Sequence, residues 1–146
     1  QEKKTVIGYG EGIVQQAHDV IAVDCDVLVT AAIPDLIQKN DVPRIKAKLI
    51  VEGSNIPMSF ETEQLLHNKG VLVVPDFVAN AGGVISSWVE YIGKEEKYMF
   101  KVVEEKIVRN TEEVLTRAEK EKKMPRLVAE QIAQERVLKK CMTCKV

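Results

Sequence analysis

Three short apolar runs, each released into small or polar residues, set the rhythm of the first half of the chain. They are Cys25-Asp26-Val27-Leu28-Val29-Thr30, Lys48-Leu49-Ile50-Val51-Glu52 and Val71-Leu72-Val73-Val74. Runs this short and this rich in β-branched residues predict strands buried in a parallel sheet. Helical signals lie between them. Pro34 suits the first turn of a helix through Asp35-Leu36-Ile37-Gln38. Ser59 is a natural N-cap for Phe60 to Asn68, with Glu61 and Glu63 in the favourable first turn and Gly70 as the stop. Strand, helix, strand, helix, strand predicts an α/β fold with a parallel sheet and right-handed crossovers.

The period then lengthens. Between Lys94 and Lys123, Phe100, Val103, Ile107, Val114 and Ala118 keep helical spacing within a Lys- and Glu-rich background. This predicts an amphipathic helix with a solvated outer face. Pro125 opens a last helix whose expected apolar stripe is Ala129, Ile132, Ala133 and Val137. Residues 1–92 are thus expected to form a partial dinucleotide-binding unit, with 1–24 an ill-defined lead, and residues 93–146 a helical segment packed on it.

One stretch breaks the pattern. After the third strand comes Pro75-Asp76-Phe77-Val78-Ala79-Asn80-Ala81-Gly82-Gly83, leading into a helical run to Tyr91. Each glycine inside a helix costs about 1 kcal/mol relative to alanine. Such a pair suits a place where backbone must approach a ligand closely. The other strand ends agree, since Thr30-Ala31-Ala32 follows the first and Gly53-Ser54-Asn55 the second. Open α/β sheets bind ligands beyond the carboxyl ends of their strands. A shallow, amide-lined crevice is expected there, with Asn55 and Asn80 each offering a donor and an acceptor.

Composition narrows the function classes. The 146 residues carry 21 basic and 22 acidic side chains, which gives no basic face for nucleic acid or an anionic membrane. No apolar run approaches the roughly 18 residues of a membrane span. Three cysteines, an odd number at uneven spacing, point to a reducing, cytoplasmic setting. Cys141-Met142-Thr143-Cys144 is a lone C-x-x-C at the chain end, and zinc would want a second pair or nearby histidines, so no metal site is expected. Gly8-Tyr9-Gly10-Glu11-Gly12 is one residue short of the G-x-G-x-x-G phosphate turn and reads as a surface turn. His67 is expected at a helix C-terminus and Glu90 on a helix surface.

Taken in order, Cys25 to Ala32, Val51-Glu52-Gly53-Ser54-Asn55-Ile56-Pro57 and Pro75 to Val84 carry a family pattern. The chain resembles the C-terminal, cofactor-binding portion of the glutamate/leucine/phenylalanine/valine dehydrogenases, from about Val20 onward. Ser87, three residues after Val84, looks like the glutamate branch. The resemblance implies a partial Rossmann-like sheet of about three strands with C-terminal helices, and an NAD or NADP cofactor. It also implies reversible oxidative deamination of L-glutamate to 2-oxoglutarate and ammonia. Ala31 and Ala32 would lie along the adenosine side of the cofactor, Asn55 at the nicotinamide ribose and Asn80 at the nicotinamide end. Val84 would pack on the aliphatic chain of the amino acid or 2-oxo acid, and Ser87 would bind its side-chain carboxylate.

The family's catalytic lysine and aspartate, its pyrophosphate-binding turn and the strand carrying its ribose-binding acid match nothing in this sequence. The resemblance therefore implies no catalytic residue here, poor dinucleotide affinity and no turnover by the isolated chain. An unpaired sheet edge is expected to be covered by a rearranged N-terminal segment or by a second copy of the chain, and the expected partners are the chain itself or an N-terminal substrate domain. The alternative is a free-standing, non-catalytic module that binds a nucleotide or a partner chain.

Overall fold

A computed structural model describes residues 12–141 of the chain. Strands β1 (Val27–Thr30), β2 (Leu49–Glu52) and β3 (Leu72–Val74) form one parallel sheet in the order β1-β2-β3. The described residues hold five α-helices, α1 (Phe60–Asn68) between β2 and β3, and α2 (Asp76–Ala79), α3 (Gly82–Tyr91), α4 (Glu96–Glu121) and α5 (Pro125–Lys140) after the sheet. The α/β architecture expected from the apolar runs is present, with strands one or two residues shorter than the runs suggest.

The register sorts the sheet into two faces. Leu28 pairs with Ile50 and Ile50 with Val73, so these three share a face. They are buried with Ile21, Ile37, Ile45, Met58 and Leu66, which cover that face from the connections and from α1. On the opposite face Val74, with the half-buried Leu49 and Val51, meets Val114 and Ala118 of α4 and Val128, Ala129 and Ile132 of α5. This second layer stops short of β1. Val27 and Val29 remain 49% and 58% exposed on the edge strand.

Four expectations need correction. The helix expected from Pro34 does not form. Asp35 adopts a left-handed φ of 52°, and the backbone N–H groups of Asp35 and Ile37 donate to the carbonyls of Ile56 and Pro57 at 2.9 Å each. The connection thus bonds to the loop after β2, and a 3₁₀ turn forms later, over Lys39–Arg44. Second, part of residues 1–24 is ordered: Ala17–Ala22 is a 3₁₀ turn that buries Ile21. Third, the α5 stripe is Pro125, Val128, Ala129 and Ile132, whereas Ala133 and Val137 are exposed. On α4 the fully buried positions are Val102, Val114 and Ala118, and Phe100 is exposed. Fourth, the glycine pair does not interrupt a helix. Asn80 and Ala81 separate α2 from α3, and Gly82 and Gly83 open α3. The helical cost of glycine falls off in a first turn, whose N–H groups have no intrahelical partners.

The Ser59 cap is present: its hydroxyl accepts the Thr62 N–H at 3.2 Å. The glycine-rich lead before Gly12 and Cys144 lie outside the described residues. Cys141 is disulfide-bonded.

Candidate functional site

The carboxyl ends of the three strands converge on one rim. At β1 the chain leaves through Ala31 and Ala32, both exposed. Beside it the Ser54 N–H donates to the Thr30 carbonyl at 2.6 Å, which draws the loop after β2 against the loop after β1. The approach is tight at Gly53, where a Cβ would stand 3.1 Å from that of Ala31 and 3.4 Å from the Thr30 carbonyl oxygen. Gly83 is the opposite case, with nothing within 4 Å of an added Cβ. The first glycine serves the packing of two loops, and the second leaves open space at the head of α3.

Asn55 and Asn80, placed 25 residues apart, are brought into contact. The Asn80 Nδ2 donates to Asn55 Oδ1 at 2.6 Å. Each amide keeps unused capacity: the Asn55 amide retains its donors, and Asn80 retains its carbonyl oxygen and one N–H. Paired amides of this kind can read a carboxamide or a ribose hydroxyl. These amides and the open space at Gly83 fit the nicotinamide half of a dinucleotide. Val84, 77% exposed, and the exposed Ser87 follow one turn apart on one face of α3. The Ser87 hydroxyl donates to the Gly83 carbonyl at 3.1 Å, and Ser86 donates to the same oxygen at 2.8 Å. To meet a carboxylate, Ser87 must turn its proton away from its own helix.

Directly behind the asparagines lies a cluster that the sequence reading passed over. Arg126, in the first turn of α5, sends Nη2 to Glu52 Oε2 at 2.7 Å and to Asp76 Oδ1 at 3.2 Å, and Nε to Glu63 Oε2. Its guanidinium carbon also sits 5.6 Å from the centre of the Phe77 ring. Glu52, Glu63 and Asp76 are all buried, at 0%, 1% and 8% exposure. One cation therefore faces three carboxylates in a dry setting. Burial, with the charge of Glu63 adding to it, pushes the Glu52 carboxyl up to about 7 against the pull of Arg126. Burial also raises Glu63, despite its hydrogen bond to Arg126. Among the described residues the Oε1 atoms of both glutamates have no hydrogen-bond partner.

Two weak signals for this cluster existed. Glu52 closes an otherwise apolar strand, and Arg126 puts a cation at a helix start, the unfavourable end of the dipole. Neither signal names the other residue, 74 positions away. His67 and Glu90 stand as expected, in the last turn of α1 and exposed on α3. A cavity of about 600 Å³ lies elsewhere, lined by His67, Leu72, Leu115, Lys122 and Pro125, and none of the rim residues lines it. Among the described residues no group of acids, histidines and cysteines could hold a metal ion, and no helix is long and apolar enough to cross a membrane.

Comparison with known proteins agrees with this architecture. A glutamate dehydrogenase of Aeropyrum pernix is 39% identical over 145 residues, covering 92% of this chain and 35% of the relative. An NADP-specific glutamate dehydrogenase of Saccharolobus shibatae is 41% identical over 91 residues, 62% of this chain and 22% of its own length. Among solved structures, the L-tryptophan dehydrogenase of Nostoc punctiforme superposes with a TM-score of 0.77 at 26% identity, over 84% of this chain and 37% of that one. The hetero-hexameric glutamate dehydrogenase of Thermus thermophilus, in a leucine-bound form, gives 0.73 at 28% identity, over 82% and 30%. The chain thus spans about a third or less of the length of these relatives. The sequence pattern of the Glutamate/Leucine/Phenylalanine/Valine dehydrogenase family matches residues 1–143, and the chain belongs to that family.

Proposed function

We propose that this chain is the nicotinamide-side portion of an NAD- or NADP-dependent glutamate dehydrogenase, an enzyme that interconverts L-glutamate with 2-oxoglutarate and ammonia. The bound dinucleotide supplies the hydride chemistry. The observation that carries this reading is the Asn55–Asn80 amide pair at the strand ends, with Val84 and Ser87 exposed on the next helix.

In this reading Ala31 and Ala32 leave the rim low enough for a flat adenosine to lie against backbone. Asn55 and Asn80 orient the ribose and carboxamide on the nicotinamide side. Val84 covers the substrate's methylenes, and the Ser87 hydroxyl, released from Gly83, donates to its side-chain carboxylate. Asparagine, serine, alanine and valine bind and orient, but none exchanges a proton near neutral pH. The chain is therefore inferred to bind weakly and not to turn over glutamate by itself, the remaining machinery coming from a substrate domain or a second chain.

Amide chemical-shift mapping of the full chain with NADH and then with 2-oxoglutarate tests this. NADH is expected to perturb Ala31, Asn55 and Asn80, and 2-oxoglutarate to perturb Val84 and Ser87. Perturbation confined to other surfaces, or none at millimolar ligand, would sink the reading.

A further inference from the structure

The loop that carries Asn55 has an unusual backbone. Ile56, the next residue, has a φ of 48°, a left-handed conformation that a β-branched residue avoids. Its side chain is 62% exposed, so packing does not hold it there. Polar contacts do. The Ile56 N–H donates to Asp76 Oδ2 at 2.9 Å, and its carbonyl accepts from Asp35. Asp76 stands at the start of α2, the one-turn helix capped by Asn80, whose own N–H donates to the Asp76 carbonyl at 2.7 Å. One residue therefore holds the backbone beside both asparagines. Asp76 is held in turn from below: its N–H donates to Glu52 Oε2 at 2.8 Å, and Arg126 bonds Glu52 and Asp76 through the same nitrogen.

We propose that Glu52, Asp76 and Arg126 are positioning residues for the Asn55–Asn80 pair, and that the charge state of Glu52 sets the geometry of the two asparagine loops. The proposal rests on the nicotinamide-side reading for its functional meaning, though not for its structural test. Ionised, Glu52 is a strong acceptor for the Asp76 N–H and for Arg126. Protonated, it is a poorer one, and Arg126 shifts its weight to Asp76 and Glu63. The Asp76 carboxylate then no longer sits where Ile56 requires it, and the strained turn can relax.

The charged groups facing Glu52 come from three elements: Glu63 on α1, Asp76 on α2, and Arg126 on α5. Glu130, also on α5, raises the neighbouring Glu63. Balanced between one cation and two anions, and itself fully buried, Glu52 is placed to change charge near neutral pH, at about 7. The ionised form is the one that fixes the asparagines, so ligand affinity should rise with pH through that value.

The test is a pH titration of the full chain by NMR from pH 5.5 to 8.5, following the Glu52 side-chain carboxyl carbon, the backbone amides of Ile56 and Asp76, and the Asn80 side-chain amide. The inference expects all four to share one midpoint near neutrality, and the last three to lose that transition in Glu52→Gln. In Glu63→Gln the transition should persist with a lowered midpoint, since a neighbouring negative charge is gone. A Glu52 carboxyl that titrates in the ordinary carboxylate range overturns the proposal. So does a neutral midpoint at Glu52 that the three amide reporters ignore. If Glu52→Gln fails to fold, the wild-type titration alone decides between these outcomes.

A second arm measures NADH affinity across the same range. A several-fold tightening through the Glu52 midpoint, flattened in Glu52→Gln, supports the role in binding, and an affinity independent of pH overturns it. Failure of NADH to bind at any pH removes the nicotinamide-side reading, while the four NMR signals still judge the positioning itself.

Discussion

Helix α5 carries two sets of charges that look alike on paper and differ in setting. At its start, the half-buried Arg126 packs against the buried Glu52, Glu63 and Asp76. Farther along, Glu135 bonds Arg117 of α4 in a two-pronged pair at 2.8 and 3.0 Å, and Arg136 bonds Glu113. The second set lies along the solvated α4–α5 seam. Water screens it, and its loss would be largely repaid by hydration. At the first set the carboxylates are nearly cut off from water, so each charge depends on its partners. The hydrogen-bond count is similar in the two places, and the dielectric decides which set matters.

The largest effect should come from removing the buried cation. Arg126→Met leaves three carboxylates in a dry site, and breaking a buried pair in this way costs about 3–5 kcal/mol. Urea unfolding at pH 8 should show a loss of that order. Acidifying to pH 5 should recover part of it, because protonation removes the uncompensated charge. A loss no greater than that of Arg117→Ala would erase the distinction between the two sets.

The next effect is on pH dependence in the wild-type chain. The Glu52 carboxyl titrates at about 7 in the folded chain and near its ordinary 4.5 when unfolded. Between those values the folded state holds the extra proton, so stability falls as pH rises through the window. At full strength such a shift is worth on the order of 3 kcal/mol, and Glu63, raised in the same direction, adds to it. Unfolding free energies at pH 5 and pH 8 should therefore differ with the acid side more stable, and Glu52→Gln should shrink the gap. Asp41 works the other way. Burial raises it, but the Gln38 N–H, His18 and Arg44 outweigh burial and hold it low, so its contribution is lost only as pH falls toward its depressed value.

The same contrast explains what the sequence could show. Strand runs, the Ser59 cap and the family blocks are local patterns, and the structure has the sheet and α1 where they point. The asparagine pair was legible as two candidates because each follows a strand. Their mutual hydrogen bond was not, since it joins loops 25 residues apart. The failed Pro34 helix has a similar cause: Asp35 and Ile37 find backbone acceptors at Ile56 and Pro57, which no local signal announces. The α5 stripe was misread because Ala133 and Val137 satisfy helical spacing as well as Val128 does. Only the position of the sheet decides which of them is covered. The Arg126 cluster was invisible for the strongest form of this reason, having members on one strand and three helices.

Cutting the link between cluster and rim should cost less than removing the cation. Asp76→Ala leaves the Ile56 N–H without its carboxylate and takes one acceptor from Arg126, while the backbone N–H at position 76 still donates to Glu52. Hydrogen bonds to charged groups are worth about 1.5–3 kcal/mol. Loss of one anion from an anion-rich site offsets part of this, so a net loss of about 1–2 kcal/mol is expected in urea unfolding. Amide signals of Asn55 and Ile56 should broaden while those of the α4–α5 seam stay sharp.

The smallest effect should be at the seam. Arg117→Ala removes a two-pronged contact to Glu135 and a further bond to Glu121 at 2.8 Å, as many carboxylate bonds as Arg126 makes. Hydrogen bonds to Glu135 and Glu121 raise the Arg117 pKa, Arg117 in turn lowers that of Glu135, and Lys123 with Arg117 lowers that of Glu121, yet the groups lie in reach of water. The urea midpoint should move only slightly, and the difference from wild type should vanish in 1 M salt, where screening acts over about 3 Å. The Arg126→Met deficit should survive that salt. A salt-resistant loss at Arg117 would mean that the seam is drier than its exposure indicates, and that bond count, not burial, ranks the charges on α5.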